Sequence, residues 1–370
     1  MLTFAGTILN MPKKLSIEEF LPLTDTLPLV DVRSPAEYAH AHIPGAVNIS
    51  LFDNEERKQV GIRYKQGGKE NAVLLGLEYV GPKMADFAKK ARKLAKNKQI
   101  LVHCWRGGMR SASMAWLFET AGLKTFTLEG GYKAYRGYIR AQFAKPATMF
   151  ILGGYTGSGK TSVLMEMEKQ GEQFLDIEGI AHHKGSVFGP LGQEEQPTNE
   201  QFENNLADAW RKFDFSKPIW IEDESRNLGR CGIPDPLFKQ MRESNVIKMI
   251  IPKEERVKRL VREYGAFEKA LLMEQLEKIR ERLGGQFTNE AADALNNGDL
   301  ATVADLTLRY YDKAYEFGIS KRDSKKVLKF ELEKDEPKQN AKMIIKTINE
   351  ILEENFVNNN YQQWYSQKKN

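Results

Sequence analysis

The segment Gly154-Tyr155-Thr156-Gly157-Ser158-Gly159-Lys160-Thr161 constrains this chain more than any other. It fits the pattern G-x-x-x-x-G-K-[ST] without a mismatch, between an apolar run, Thr148 to Leu152, and a helical pattern from about Lys160. Its glycines let backbone amides wrap a phosphate chain, and Lys160 supplies a point charge. The predicted diphosphate-binding set is Gly154, Gly157, Ser158, Gly159, Lys160, Thr161 and Ser162. The Thr161 hydroxyl can hold a magnesium ion. The run Ile219 to Glu224 ends an apolar strand in carboxylates, so Glu222 or Asp223 is the expected partner of Thr161 on that ion. Whether the loop takes a nucleoside triphosphate or a diphosphate on some other molecule stays open.

A phosphate loop of this kind belongs to an α/β fold, and the rest of the chain agrees. Strands are expected at Pro28 to Arg33, Ala46 to Ser50, Gln99 to His103 and Lys124 to Leu128, with a helix over Ser111 to Ala121. Further strands are expected at Phe174 to Ile177, Pro218 to Ile221 and Val246 to Ile251. Strands alternating with helices favour parallel sheets covered by helices. Pro146 discourages continuation of the preceding helix, so the main boundary falls within 141–146. The expected domains are 1–143, a P-loop α/β core over 144–252, and a helical C-terminal region over 253–370 packing on that core.

Composition narrows the setting. With 370 residues, 41% hydrophobic and 28% charged, the chain is long enough for two or three ordinary globular domains. No run is long and apolar enough for a membrane span, and Met1 to Leu15 lacks the form of a secretory leader. Two cysteines, Cys104 and Cys231, make no disulfide framework, and no structural metal site is expected. A cytoplasmic location fits. The net charge of +5 permits a polyanionic partner without demanding one.

The second constellation is His103-Cys104-Trp105-Arg106-Gly107-Gly108-Met109-Arg110-Ser111, between a strand and a helix. Parallel α/β sheets place ligands at the carboxyl ends of their strands. Two glycines allow a tight loop with inward amides, and the helix start with Arg106 and Arg110 adds positive potential. Together these favour a thiolate on Cys104, as a nucleophile needs. A buried structural cysteine is the commoner fate of a lone Cys, but apolar packing would not surround the sulfur with these residues. Cys104, Arg106, Arg110 and Lys160 are therefore the candidate catalytic residues. Cys231 reads as an incidental thiol.

The cysteine loop, Val30 to Tyr38 and His42 to Ala46 resemble the rhodanese family, in that family's order. The resemblance implies sulfur or selenium carried on Cys104, with Asp31, Arg33 and Glu37 mainly structural. No general base is identified. Joined to the P-loop, the blocks Gly130 to Arg136, Asp176 to Gly179, His183 to Ser186, Glu222 to Arg226 and Tyr310 to Asp312 look like the tRNA 2-selenouridine synthase family. One departure is Lys184 where arginine is expected, which keeps the charge and loses the bidentate fork. The resemblance implies an enzyme acting on tRNA with 2-thiouridine at the wobble position. It would alkylate the sulfur with geranyl diphosphate and then exchange it for selenium from selenophosphate, which its synthase can deliver. Magnesium is the implied cofactor, with no permanently bound organic one.

For tRNA the candidate contacts are Arg57, Arg63, Lys133, Arg136, Lys184, Arg256 and Arg259. Lys58, Lys65 and Lys69 extend the first cluster, and Lys253, Lys258 and Arg262 the last. Arg256 and Arg259 are three apart on an expected helix, so they can form a stripe, or pair with Glu254, Glu255 and Glu263. Tyr132 and Tyr135 can stack on bases or sit in the core. Two other readings remain: a P-loop kinase or NTPase fused to a sulfurtransferase, and a phosphate-sensing regulatory protein. The intact Cys104 loop speaks against the second.

Overall fold

Short apolar runs pair side by side into two five-stranded sheets, each parallel throughout. The computed structural model describes residues 12–367 with the strand pairs Thr3–Phe4 and Thr7–Ile8, and side chains for residues 12–353. The leaderless reading of Met1 to Leu15 falls largely outside that set. Two units are resolved: Met1–Lys145 with Pro197–Arg211, and Pro146–Gln196 with Lys212–Asn370. No helix among the described residues is long and apolar enough to cross a membrane.

In the first unit the strands run in the order Lys13–Leu15, Lys124–Leu128, Gln99–His103, Leu29–Asp31, Ala46–Asn48. Helix starts are written locally. Ser34 and Glu37 form a capping box that opens Pro35–His40, and Asp53 with Glu56 opens Asn54–Val80, which Gly68 interrupts. Val30, Val32, Ile100, Val102, Phe87 and Phe118 build the core that also buries Cys104.

Beneath the cysteine loop lies a buried ion pair. Arg33 donates to Asp31 at 2.6–3.0 Å and to the Ala41 carbonyl at 2.6 Å, and its guanidinium stands 4.0 Å from the Tyr132 ring centroid. Burial works to raise the Asp31 pKa, but His103 and Arg33 outweigh it and hold it below its ordinary value. His103 is itself pushed down by burial, so at neutral pH the charge facing Asp31 is that of Arg33. Asp31 is thus a brace, as the family resemblance implies.

The helix Asn199–Trp210 lies, in the chain, between two strands of the second unit, yet it packs in the first. Asn204 donates to Tyr132 Oη and to the His42 carbonyl at 2.8 Å each, and Thr198 donates to the His40 carbonyl at 2.6 Å. Tyr132 and Tyr135 are buried against this helix, which settles them as core rather than base-stacking groups.

The second sheet runs in the order Val327–Glu331, Asn245–Ile250, Met149–Gly154, Ile219–Glu222, Gln173–Leu175. Its core gathers Phe150, Leu152, Val163, Leu164, Trp220 and Met249 with Ala341, Ile344 and Ile348 from the helix Pro337–Gln367. The C-terminal region is mostly helical, as expected, with one strand that the sequence reading did not place. Val327–Glu331 is a strand at the sheet edge, parallel to Asn245–Ile250. It carries Lys329 and Glu331 and leaves Leu328 exposed, as edge strands do, so its apolar signal is weak.

Replacing Asp31 by Asn would leave the Arg33 charge buried without a counter-charge. The expected cost is about 3–5 kcal/mol, read from the midpoint of urea denaturation at unchanged m-value.

Candidate functional site

The phosphate loop follows the strand Met149–Gly154 and leads into the helix Lys160–Glu168. Lys160 Nζ donates to the Gly154 carbonyl at 3.2 Å and stands 3.4 Å from Glu222 Oε1. The Thr161 hydroxyl donates to Glu222 at 2.9 Å and reaches Glu178 at 3.4 Å. Ser158 Oγ is buried in the loop without a hydrogen-bond partner among the described residues.

Glu178, Glu222 and Glu224 offer oxygens that all lie within 4.8 Å of one another. Burial pushes all three pKa values up. With the neighbouring charges, Glu178 rises to about 10 and Glu224 to about 8, and Glu222 also moves up despite Lys160. Burial works to lower Lys160, but Glu222, Glu224 and Glu178 outweigh it and hold it above its ordinary value. Crowded carboxylates beside a threonine hydroxyl suit a hard divalent cation with oxygen ligands. The donor set therefore fits magnesium, which would be held by Thr161, Glu222, Glu178 and Glu224.

Of the two carboxylates expected to serve magnesium, Glu222 faces Thr161 and Asp223 does not. Asp223 accepts from Arg322 at 2.5 Å and lies 3.8 Å from Arg242, so its charge is already matched. Glu178 and Glu224 lay in the blocks that resemble the family, but spacing alone carried no signal that they meet. The blocks Asp176 to Gly179, His183 to Ser186 and Glu222 to Arg226 converge here. All three contribute to the walls of a cavity of about 680 Å³ that the phosphate loop also lines.

The arginine stripe also needs correction. Arg256 is 4% exposed. Its guanidinium donates to both Asp312 oxygens at 2.8 Å and to the Thr156 carbonyl at 3.2 Å. Arg259 donates to Asp335 at 2.7 and 3.0 Å and to Ser162 Oγ at 3.1 Å. Lys253, Lys258 and Arg262 stand in ion pairs with Asp305, Glu255 and Asp335. Arg256 and Arg259 thus buttress the phosphate loop instead of facing an RNA. In the first unit Arg136 is likewise buried against Glu203 and Asn204. Arg63, Lys65, Lys69, Lys133 and Lys184 are exposed, and Arg57 is partly drawn to Glu37 at 3.8 Å.

Cys104 directly follows the strand Gln99–His103, ahead of the helix Met109–Thr120. Its Sγ is 3.2 Å from Ser111 Oγ, which donates to the Gly108 carbonyl at 3.1 Å. The loop is clamped by the next turn: Tyr132 N donates to the Cys104 carbonyl at 2.8 Å and Lys133 N to that of Trp105 at 3.0 Å. Gly131 is required there, with φ +60° and room for no Cβ, which would lie 2.4 Å from the Cys104 carbonyl oxygen. Arg106 is exposed at the loop. Arg110 is turned to Glu37 at 2.7 Å, a contact that braces the loop. Cys231 is buried in the hairpin of Asn227–Leu228 and Cys231–Gly232, where burial pushes its thiol up.

Fold and sites together define a phosphate-loop protein that carries a rhodanese-like domain with an intact cysteine loop. Residues 16–138 match the family described as rhodanese-like domain, and residues 147–343 the family described as tRNA 2-selenouridine synthase AAA domain. Three relatives are each named tRNA 2-selenouridine synthase. That of Shewanella piezotolerans is 35% identical over 80% of this chain and 89% of its own. That of Shewanella woodyi is 33% identical over 82% and 90%. That of Bordetella petrii is 34% identical over 79% and 86%. The chain belongs to the tRNA 2-selenouridine synthase family.

The carboxylate cluster has a pH signature. Glu178 and Glu224 keep protons in the folded protein at pH values where the unfolded chain, titrating near 4.5, has lost them. Stability of the metal-free protein therefore falls as pH rises from about 5 towards 9. Thermal unfolding should show a shallower fall for Glu224→Gln, and magnesium should raise the Tm of the unaltered protein more at pH 9 than at pH 6. An unchanged pH slope in the variant would mean that the carboxylates do not crowd one another.

Proposed function

We propose that the protein converts wobble 2-thiouridine of tRNA to 2-selenouridine in two stages, one at each loop. The carrying observation is that one chain of this family holds a phosphate loop with Lys160 beside three carboxylates and, in its rhodanese-like domain, a cysteine loop with Cys104 ahead of a helix. At the phosphate loop, amides and Lys160 bind the diphosphate of geranyl diphosphate. The thiocarbonyl sulfur attacks the allylic carbon, the carbon–oxygen bond breaks, and its electron pair leaves on diphosphate as uridine loses its N3 proton. Lys160 stabilises the charge that grows on the leaving oxygen. Magnesium, when bound at Thr161 and the carboxylates, adds positive charge to the same group.

At the other loop, Cys104 carries an external thiol as a mixed disulfide. The selenium of selenophosphate attacks Cys104 Sγ and expels that thiol, and water takes the phosphoryl group as phosphate, so that a perselenide stays on Cys104. Arg106 is the exposed cation that can meet the incoming anion, and Arg110 positions the loop through Glu37. The outer selenium then attacks C2 and geranylthiol departs. The external thiol attacks Cys104 Sγ, the S–Se bond breaks onto selenium to give 2-selenouridine with its N3 proton restored, and the mixed disulfide is regenerated. Alkylation precedes exchange because a neutral thioether-like group leaves more readily than sulfide.

The two stages separate by mutation. Lys160→Ala should lose geranyl transfer by about 10²–10³-fold, yet exchange selenium into pre-geranylated tRNA. Cys104→Ala should accumulate geranylated tRNA. Mass spectrometry of the nucleosides reads both. Geranyl transfer by Lys160→Ala at the normal rate, or a requirement for ATP hydrolysis, would favour the kinase or NTPase reading.

For tRNA, the exposed charges of the helix Asn54–Val80 replace the buried arginines as the proposed contact. Neutralising Arg63, Lys65 and Lys69 together should weaken binding and reduce the slope of log K against log salt by roughly 0.7–0.9 for each phosphate that no longer meets a cation. A slope that does not change would move the RNA surface elsewhere.

A further inference from the structure

A smaller recess of about 60 Å³ adjoins the phosphate-loop cavity. Thr156, Ser186, Leu260, Tyr264 and Tyr311 line both spaces, so the two meet along that wall. Leu260 reaches the loop itself, since its Cγ lies 3.1 Å from where a Cβ on Gly157 would stand. The remaining wall is mostly hydrocarbon and includes Phe188, Val261, Leu272, Leu300, Val303 and Ala304. Leu272 and Val303 belong to a buried cluster with Leu191 and Leu295, so they are backed by packed side chains.

Two of the hydroxyls around this recess, those of Thr307 and Tyr311, are already engaged. Thr307 donates to the carbonyls of Val303 and Ala304 at 2.9 and 3.1 Å. Tyr311 Oη accepts from Val187 N at 3.3 Å. A nucleobase placed here would give up its hydrogen bonds to water and find few replacements. A hydrocarbon loses nothing by entering and gains by leaving water.

We propose that the recess takes the hydrocarbon end of an isoprenoid diphosphate whose phosphates lie on the Gly154 to Thr161 loop, and that its floor sets the chain length. This rests on the prenyl-transfer reading above and assigns it a binding subsite. At about 60 Å³ the recess is less than a tenth of the adjoining cavity of about 680 Å³. That suits a branched chain end and excludes a whole ten-carbon chain, whose nearer carbons run past Leu260 in the larger cavity. Leu272, Val303 and Ala304 close the far side, so added isoprene units meet packed side chains.

The test offers the full-length protein dimethylallyl, geranyl and farnesyl diphosphates in competition, with thiolated tRNA as acceptor and mass spectrometry of the S-alkylated nucleosides as readout. Ala304→Leu fills the recess and should lower geranyl relative to dimethylallyl transfer by about tenfold or more. Leu272→Ala deepens it and should raise farnesyl relative to geranyl transfer by about tenfold. Ratios within one variant do not depend on how much of it is folded. Unchanged ratios in both variants, with transfer still dependent on Lys160, overturn the recess assignment alone. No transfer of any of the three by the unaltered protein overturns the prenyl-transfer reading and the recess with it.

Discussion

Three carboxylates within 4.8 Å of one another, beside one lysine, are the constraint around which the second unit is organised. Like charges at that spacing cannot all ionise in a buried site without a cation, so their pKa values rise. The sheet explains how they meet. Lys160 and Thr161 follow the strand Met149–Gly154, Glu178 follows Gln173–Leu175, and Glu222 ends Ile219–Glu222. In a parallel sheet all of these are carboxyl ends, and they open on one side. The same topology that gives the phosphate loop its amides thus supplies the oxygen ligands beside it.

The first unit depends on a different compensation. Arg33 and Asp31 are both fully buried, and each would be costly alone. Arg33 gains further from the Ala41 carbonyl and the Tyr132 ring. Tyr132 in turn is held by Asn204 and Glu200, and its amide grips the Cys104 carbonyl. A chain of polar contacts therefore runs from a helix distant in sequence to the backbone of the reactive loop. Rigidity of that loop bears on the proposed selenium transfer, since preorganised amides cost no reorganisation when an anion binds.

Arginine and tyrosine show why residue type underdetermines role. A basic stripe at helical spacing is equally good as an RNA surface or as a set of ion pairs, and the partners decide. Arg256 finds Asp312 and Arg259 finds Asp335, both far along the chain, and these pairs draw the two guanidinium groups inward. Arg63, Lys65 and Lys69, within Asn54–Val80, stay exposed to solvent.

The sequence alone determined the positions of the phosphate loop and the cysteine loop, the parallel α/β class and most central strands, because each is written in contiguous residues. Glycine spacing, an apolar run before it and a helical pattern after it are local properties. Tertiary structure decided whatever depends on meeting. It chose Glu222 over Asp223 because Arg322 claims the latter, and it brought Glu178 and Glu224 to the same place. It made a strand of Val327–Glu331, whose weak apolar pattern needs the neighbouring strand to pair with. It also carried the helix Asn199–Trp210 into the first unit. The physical reason is common to all four. Hydrogen bonding and charge compensation between residues tens to hundreds of positions apart depend on where the backbone folds back, and local pattern holds no record of that.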